Sequence, residues 1–576
     1  MKPPPRFQPL LPAALLAVAP PTLLAWNVAP SATALNQLLA LAGWALFLLL
    51  VPVQGRRMAG RAARPLQAAL LLLVLAVLAS GVLGSLPASL TLSALAMLVM
   101  AMLVAHAGAA ASAAEGDALP IAFAQAWLVT GLLGLAIGAV QVFAPQFTDG
   151  NWIAASSLAG RAVGNLRQPN HLSSVLLWAA IATVTLLQLR RLARVAAALA
   201  FGALVFGVVL TASRTGLLSV CLLALWGLLD RRLARGARAL LLAAPLLYAC
   251  AWLALVQWAE LAHHTFGGAA RLAETDVSSS RFGIWANTLA LIRANPWTGV
   301  GWGEFNLAWT LTPFPGRPTA FFDHAHNLPL QLAVELGLPL ALLVLALLTW
   351  GLVCIGRQTR RAPGEAAITR RMALAFVLMI GLHSLLEYPL WYAYFLLPTA
   401  WMAGFGLGRG GTAPRTAATR PRAPALVVPA AALALTLYAA WDYARVAAIF
   451  SAGGDAPLEA RIARGQRSPF FAYQADYAAA TTEVDARLRR HGFAGATHFL
   501  LDTRLMMAWA QACADAGDLE RARHLADRLR EFHNPASRDW FAPCAPDAEA
   551  APGQPLPFQC TAAERAYGWR DFLPRR

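Results

Sequence analysis

Apolar runs of about twenty residues, each long enough for a helix to cross a hydrocarbon core of about 30 Å, recur along the first three quarters of the chain. Short loops that carry arginine separate them. The runs are continuous rather than alternating, which predicts helices and excludes a barrel. Spans are expected near 10–26, 32–53, 66–84, 88–111, 119–143, 171–189, 195–211, 215–229, 239–258, 327–356, 372–387, 390–407 and 425–442. Beyond them, residues 443–576 turn charged and alanine-rich. The expected architecture is all-α: a polytopic helical membrane domain of about 13 transmembrane helices over 1–442, then a helical domain over 443–576.

Composition agrees. The 576 residues are 58% hydrophobic and 13% charged, about half the charged share usual in a globular domain. The formal charge of +17 does not signal a nucleic-acid partner, because the arginines sit in short loops between apolar runs. Arg56, Arg57, Arg61 and Arg64 fill one loop, and Arg190, Arg191 and Arg194 another. Further groups lie at 231–238, 357–371 and 409–422. Counting spans puts all five on the side of Lys2 and Arg6, which the positive-inside bias makes cytoplasmic. Segments 144–170, 211–215 and 259–326 then face outward, as does the tail, and 408–424 reads as a cytoplasmic linker. The opening segment reads as a first span rather than a cleaved leader.

Each outward segment ends in a polar motif that opens a helix: Gly164-Asn165-Leu166-Arg167-Gln168-Pro169-Asn170-His171, Ser213-Arg214-Thr215-Gly216, and Asp323-His324-Ala325-His326-Asn327-Leu328-Pro329. Asn is the expected N-cap in the first and third, and Ser213 or Thr215 in the second. A fourth group, His383 to Phe395, includes Glu387, Tyr388 and Tyr392. Helix N-termini carry partial positive charge and free N–H groups. Arg167, Arg214 and Arg281 add full charges, Arg281 on an amphipathic segment expected to be capped by Ser280. Such a surface suits an anionic group, and arginine suits phosphate. Ionisable groups next to hydrocarbon mark functional sites. His-x-His with Asp323 could in principle ligate a metal, but no further ligand set stands in the loop except His263-His264, so no metal or other cofactor is expected. His106, within an apolar span, reads as an interior residue.

GNLRQPNHL, SRTG, FFDHAHNLPLQLAVELGLP and HSLLEYPLWYAYFLLP, in that order, resemble the bacterial O-linked protein oligosaccharyltransferases of the O-antigen ligase and polymerase superfamily. The resemblance runs from about residue 150 to the end. It implies a metal-independent inner-membrane glycosyltransferase that moves a glycan from undecaprenyl pyrophosphate to Ser or Thr of a periplasmic acceptor protein such as type IV pilin. It implies His326, Arg214 and Arg281 as catalytic residues. Arg167, Gln168, Asn170, His171, His324, Glu387 and either Tyr388 or Tyr392 would hold substrates. A lipopolysaccharide O-antigen ligase or an O-antigen polymerase is the nearest alternative. A lipid-linked glycan flippase is less suited, since transporters place polar groups near the midplane.

In the tail, 506–532 reads as an antiparallel helix pair turning at Gly517-Asp518, with small residues as in tetratricopeptide repeats, and 456–500 is the candidate for a second pair. Its expected work is contact with the acceptor or support of the membrane domain. Cys544 and Cys560 are the expected disulfide among the three tail cysteines.

Overall fold

The computed structural model describes residues 10–51, 63–113, 118–269, 277–314, 317–408, 423–453, 456–545 and 556–573. Lys2, Arg6, Arg56, Arg57, Arg61, Arg409, Arg415, Arg420, Arg422 and nearly all of the predicted linker lie outside them. The described residues are helical, with no strand among them. Among the described residues, eight helices are long and apolar enough to cross a membrane, five shorter apolar helices accompany them, and each predicted span overlaps one of these. The chain is a multi-pass helical membrane protein.

In chain order the apolar helices are α1 (Leu10–Leu23), α2 (Ala34–Leu50), α3 (Arg64–Val82), α4 (Ala88–Ala113), α5 (Ala118–Phe143), α6 (Pro169–Gln188), α7 (Arg194–Leu210), α8 (Arg214–Leu229) and α9 (Arg235–Leu261). Then follow α10 (Val277–Ala294), α11 (Phe305–Leu311), α12 (Leu328–Leu336), α13 (Leu338–Arg361), α14 (Gly364–Ser384), α15 (Ala393–Leu407) and α16 (Ala423–Ala447). The tail supplies α17 (Leu458–Gly465), α18 (Ala472–Thr481), α19 (Ala486–Ala496), α20 (Thr503–Asp515) and α21 (Leu519–Glu531).

Contacts divide the chain into two compact units. Unit 1 comprises 1–71, 97–275 and 346–440. Its axis is α6, packed by α5, α7, α8 and α14 and buried over 94% of its apolar window. A helix enclosed by protein can carry hydroxyls where a lipid-facing one would not. Thr183 and Thr185 satisfy theirs on carbonyls one turn back, each at 2.8 Å. Around α6 runs an aromatic core: Trp127 meets Trp178 edge-on at 4.8 Å, and Trp178 stacks on Phe376 at 5.2 Å. His106 is exposed on α4, against the expectation of an interior residue.

Unit 2 comprises 72–96, 276–345 and 441–576. Here the predicted span 327–356 is two helices. The chain breaks at Gly337 (φ 74°), and nine-residue α12 is too short to cross. The break is locked by a glycine-rich loop, Asn295 to Glu304. Val300 and Gly301 donate N–H bonds to the α12 carbonyls of Val334 (2.8 Å) and Glu335 (3.0 Å), and Leu338 donates to Pro296 (2.7 Å). Gly299 is left-handed (φ 66°), and a Cβ there would collide with the Glu335 carbonyl. Helix α10 begins at Val277, so Ser280 stands inside its first turn and not at the cap.

The tail's helix pair is α20 and α21, turning at Gly517 (φ 80°) with Asp518 as N-cap, and α18 packs against α19 as a second pair. Both pack with the 295–325 segment in one hydrophobic core. Arg317 holds Glu531 at 3.2 Å beneath the Trp309 and Phe532 rings; burial drags the guanidinium down to about 10, and Glu531 partly restores it. Buried His498 pairs with Glu304 at 2.8 Å. Cys544 and Cys560 form a disulfide, as expected.

Candidate functional site

Three polar motifs fold into one local device. In each, the residue before the N-cap is left-handed: Arg167 (φ 57°), Ala212 (φ 48°) and His326 (φ 51°). The next residue is extended, and its side chain accepts the backbone N–H three positions on: Gln168 from His171 (2.8 Å), Ser213 from Gly216 (2.9 Å), Asn327 from Leu330 (3.0 Å). The caps at Ser213 and Asn327 match expectation. In the first motif the cap is Gln168 rather than an asparagine, because Pro169 occupies the first helical turn and sets the helix start one residue earlier than Asn170. A left-handed non-glycine residue costs roughly 1 kcal/mol, and such residues gather where surrounding structure over-determines the backbone.

In unit 1 the surroundings do over-determine it. Gln141 of α5 accepts the N–H groups of Val163 (2.9 Å) and Gly164 (2.8 Å) and donates to the Ala154 carbonyl (2.6 Å). Asn165, buried, donates to Leu23 (2.6 Å) and Trp152 (2.9 Å). Arg167 donates to the carbonyls of Ala25 (2.5 Å) and Ala32 (3.1 Å) between α1 and α2, and burial lowers its pKa.

Asn170 joins three motifs. Its amide N–H donates to Glu387 (3.1 Å), and its carbonyl accepts from Ser213 Oγ (2.6 Å), the cap of α8. Asn170 and Glu387 are both buried. His171, also buried, bonds through Nδ1 with the Tyr394 hydroxyl (3.2 Å). Its ring meets Tyr392 edge-on at 4.7 Å and Phe395 at 5.1 Å, and Tyr388 stacks on Tyr392 at 6.1 Å. Buried His383 lies 6.0 Å from His171 and bonds Ser174 Oγ at 2.8 Å. Arg214, the first residue of α8, is exposed.

Unit 2 holds Arg281, His324 and His326. Asp323 and His324 pair at 3.0 Å. Burial raises the Asp323 carboxyl, but His324 and then His326 outweigh it, so the group stays below its ordinary range. The His326 ring meets Phe322 edge-on at 5.4 Å. The backbone before it is clamped at both polar groups of Ala325. Trp285 of α10 donates to the Ala325 carbonyl (3.0 Å), and the Ala325 N–H donates to Gln331 Oε1 (2.7 Å). Arg281 lies one turn before Trp285, on the same face of α10. Gln331 in turn donates to Glu335 (2.9 Å), which also accepts the Gly303 N–H (3.0 Å). Burial pushes the Glu335 carboxyl up to about 8, the Gly303 and Gln331 bonds offset part of that, and nearby Glu304 adds to it.

The motif residues expected from sequence thus fall into two sets. Arg167, Gln168, Asn170, His171, Arg214, Glu387, Tyr388 and Tyr392 belong to unit 1, and Arg281, His324 and His326 to unit 2. Sequence reasoning missed Gln331, Glu335 and Trp285, and placed His383 and Tyr394 in the fourth motif without giving either a role. A lone Gln and Glu four apart in an otherwise apolar run was the available signal for the first two.

Known families match in chain order. A protein glycosylation ligase model matches 162–187, an O-antigen ligase model 198–345, and a model of the C-terminal part of membrane-bound virulence-factor polymerases 371–543. The chain is 36% identical over 125 residues to a general O-oligosaccharyltransferase of Acinetobacter baylyi, covering 22% of this chain and 21% of that protein. It is 28% identical over 266 residues to a ComP-specific O-oligosaccharyltransferase of the same organism, covering 44% and 45%. The matched stretches therefore span less than half of either relative. Over these stretches the chain is similar to the O-antigen ligase superfamily.

Proposed function

We propose that this protein is an O-linked oligosaccharyltransferase of the bacterial inner membrane. It moves a glycan from undecaprenyl pyrophosphate to Ser or Thr of a periplasmic acceptor such as type IV pilin. The observation that carries this reading is the protein glycosylation ligase match over 162–187, the segment whose Asn170 knits three motifs together.

The chemistry fits residue by residue. The acceptor hydroxyl gives its proton to His326, its oxygen attacks the anomeric carbon, and the bond to the pyrophosphate oxygen breaks. Undecaprenyl pyrophosphate leaves with the electron pair. Arg214 and Arg281 take up charge on the departing pyrophosphate. A serine hydroxyl needs a base, and the His326 imidazole serves as one. Gln168, His171, His324, Glu387 and Tyr388 or Tyr392 hold substrates, with Arg167 bracing the first motif. The motifs and the 443–576 domain face the periplasm, and the tail braces the histidine loop through the His498–Glu304 and Arg317–Glu531 pairs.

The test is co-expression with a pilin and a lipid-linked glycan pathway in a host lacking other transferases. Intact mass of the pilin should rise by one glycan, and only with this gene. Glycan appearing on lipopolysaccharide while pilin stays unmodified would favour the O-antigen ligase reading.

A further inference from the structure

Unit 1 has a concave feature separate from the motifs in chemistry. An open groove of about 570 Å³ lies between α8, α13 and α14. Its walls are apolar: Leu225 and Leu229 from α8, Leu374 and Leu378 from α14. Leu225, Leu229 and Leu378 are exposed. One end is lined by guanidinium groups. Arg231 and Arg232 follow α8, Arg360 stands in the last turn of α13, and Arg371 lies on α14.

Asp230 is the acidic residue in this lining. It binds Arg371 at 3.4 Å and the Trp226 indole at 3.2 Å. Arg232 donates to the Arg360 carbonyl at 2.9 Å, which ties the end of α8 to the end of α13. Arg231, Arg232 and Arg360 remain exposed. The orientation bias alone would put arginines in these loops. It would not set them at the end of a leucine-walled groove between helices.

We propose that this groove seats an anionic phospholipid, a phosphodiester on Arg231, Arg232 and Arg360 and an acyl chain along the leucines. Charge and polarity both run the right way for such a ligand. A basic pocket between membrane helices suits an anionic head group, and guanidinium suits phosphate oxygens. The seat is independent of the transferase reading.

The test uses the purified full chain in zwitterionic nanodiscs, titrated with cardiolipin or phosphatidylethanolamine and read by native mass spectrometry and thermal unfolding. Cardiolipin should bind and raise the midpoint; phosphatidylethanolamine should not. The double variant Arg231→Gln/Arg360→Gln should weaken cardiolipin about 30-fold, roughly 5-fold per arginine. Leu378→Trp, which fills the groove, should also weaken it. Arg191→Gln/Arg194→Gln, in another loop with the same bias, should change affinity by less than about twofold. Equal binding of phosphatidylethanolamine would overturn the proposal. So would an equal loss in the Arg191/Arg194 pair, or unchanged cardiolipin affinity in Leu378→Trp, either of which would mean general surface attraction without a seat.

Discussion

The start of α6 and the start of α12 use the same backbone device for different ends. Both have a left-handed residue, an extended cap and a proline in the first turn. At α6 the side chains after the cap turn inward: Asn170 bonds Glu387 and Ser213, and His171 is enclosed by Tyr392, Tyr394 and Phe395. At α12 the backbone is held instead. Trp285 and Gln331 grip the Ala325 peptide while the His326 ring stays half-buried against Phe322. Side chains spent on architecture make a rigid frame. Under the proposed function, the α6 start serves as frame and the α12 start carries the chemistry.

Substitutions at four positions break or sharpen it, in falling order of effect. Asn170→Ala removes a hydrogen-bond partner from the buried Ser213 hydroxyl and from the buried Glu387 carboxylate at once. It should cost about 2–5 kcal/mol of stability, seen as a large drop in thermal midpoint; a change under about 1 kcal/mol would remove the framing role.

The second concerns Glu335. Its folded pKa of about 8 exceeds its ordinary 4.5. Between those values the folded protein holds a proton that the unfolded chain has lost. Stability from this group is complete below 4.5 and is lost as pH rises through about 8. Glu335→Gln has no proton to lose, so unfolding curves across that window should flatten while transfer persists. Glu335→Ala, which drops the Gln331 and Gly303 bonds, should lower both stability and transfer. An unchanged pH slope in Glu335→Gln would show that Glu335 does not set it.

Third, Gln168→Ala should cost about 1 kcal/mol as a lost cap, and Gln168→Ser should restore that. If Ser restores stability but not transfer, Gln168 also touches substrate; if it restores both, Gln168 is a cap alone. Last, Ala212→Gly relieves a left-handed alanine and should raise stability by up to about 1 kcal/mol. A fall would mean that the Ala212 methyl packing outweighs the backbone relief.

Much of this was legible in the sequence. Continuous apolar runs gave the helices, and Ser213, Asn327 and Pro329 marked the helix starts correctly. The local errors have physical causes. Pro169 displaced the cap to Gln168, a residue type seldom used there. The break at Gly337 hid because QLAVELGLP is apolar on both sides, and only long-range bonds from the Asn295–Glu304 loop reveal it. Nor could periodicity show that the tail packs with 295–325. That depends on pairs such as His498–Glu304, which lie 194 residues apart. The expected Ser280 cap failed because helix α10 starts earlier, at Val277.

The most direct test of the account is acceptor mass with His326→Ala in place of wild type, after thermal unfolding shows both equally folded. A base worth about 10²–10⁴-fold should be missing, leaving the acceptor essentially unglycosylated at an unchanged midpoint. A fully glycosylated acceptor would contradict the assignment of chemistry to the α12 start.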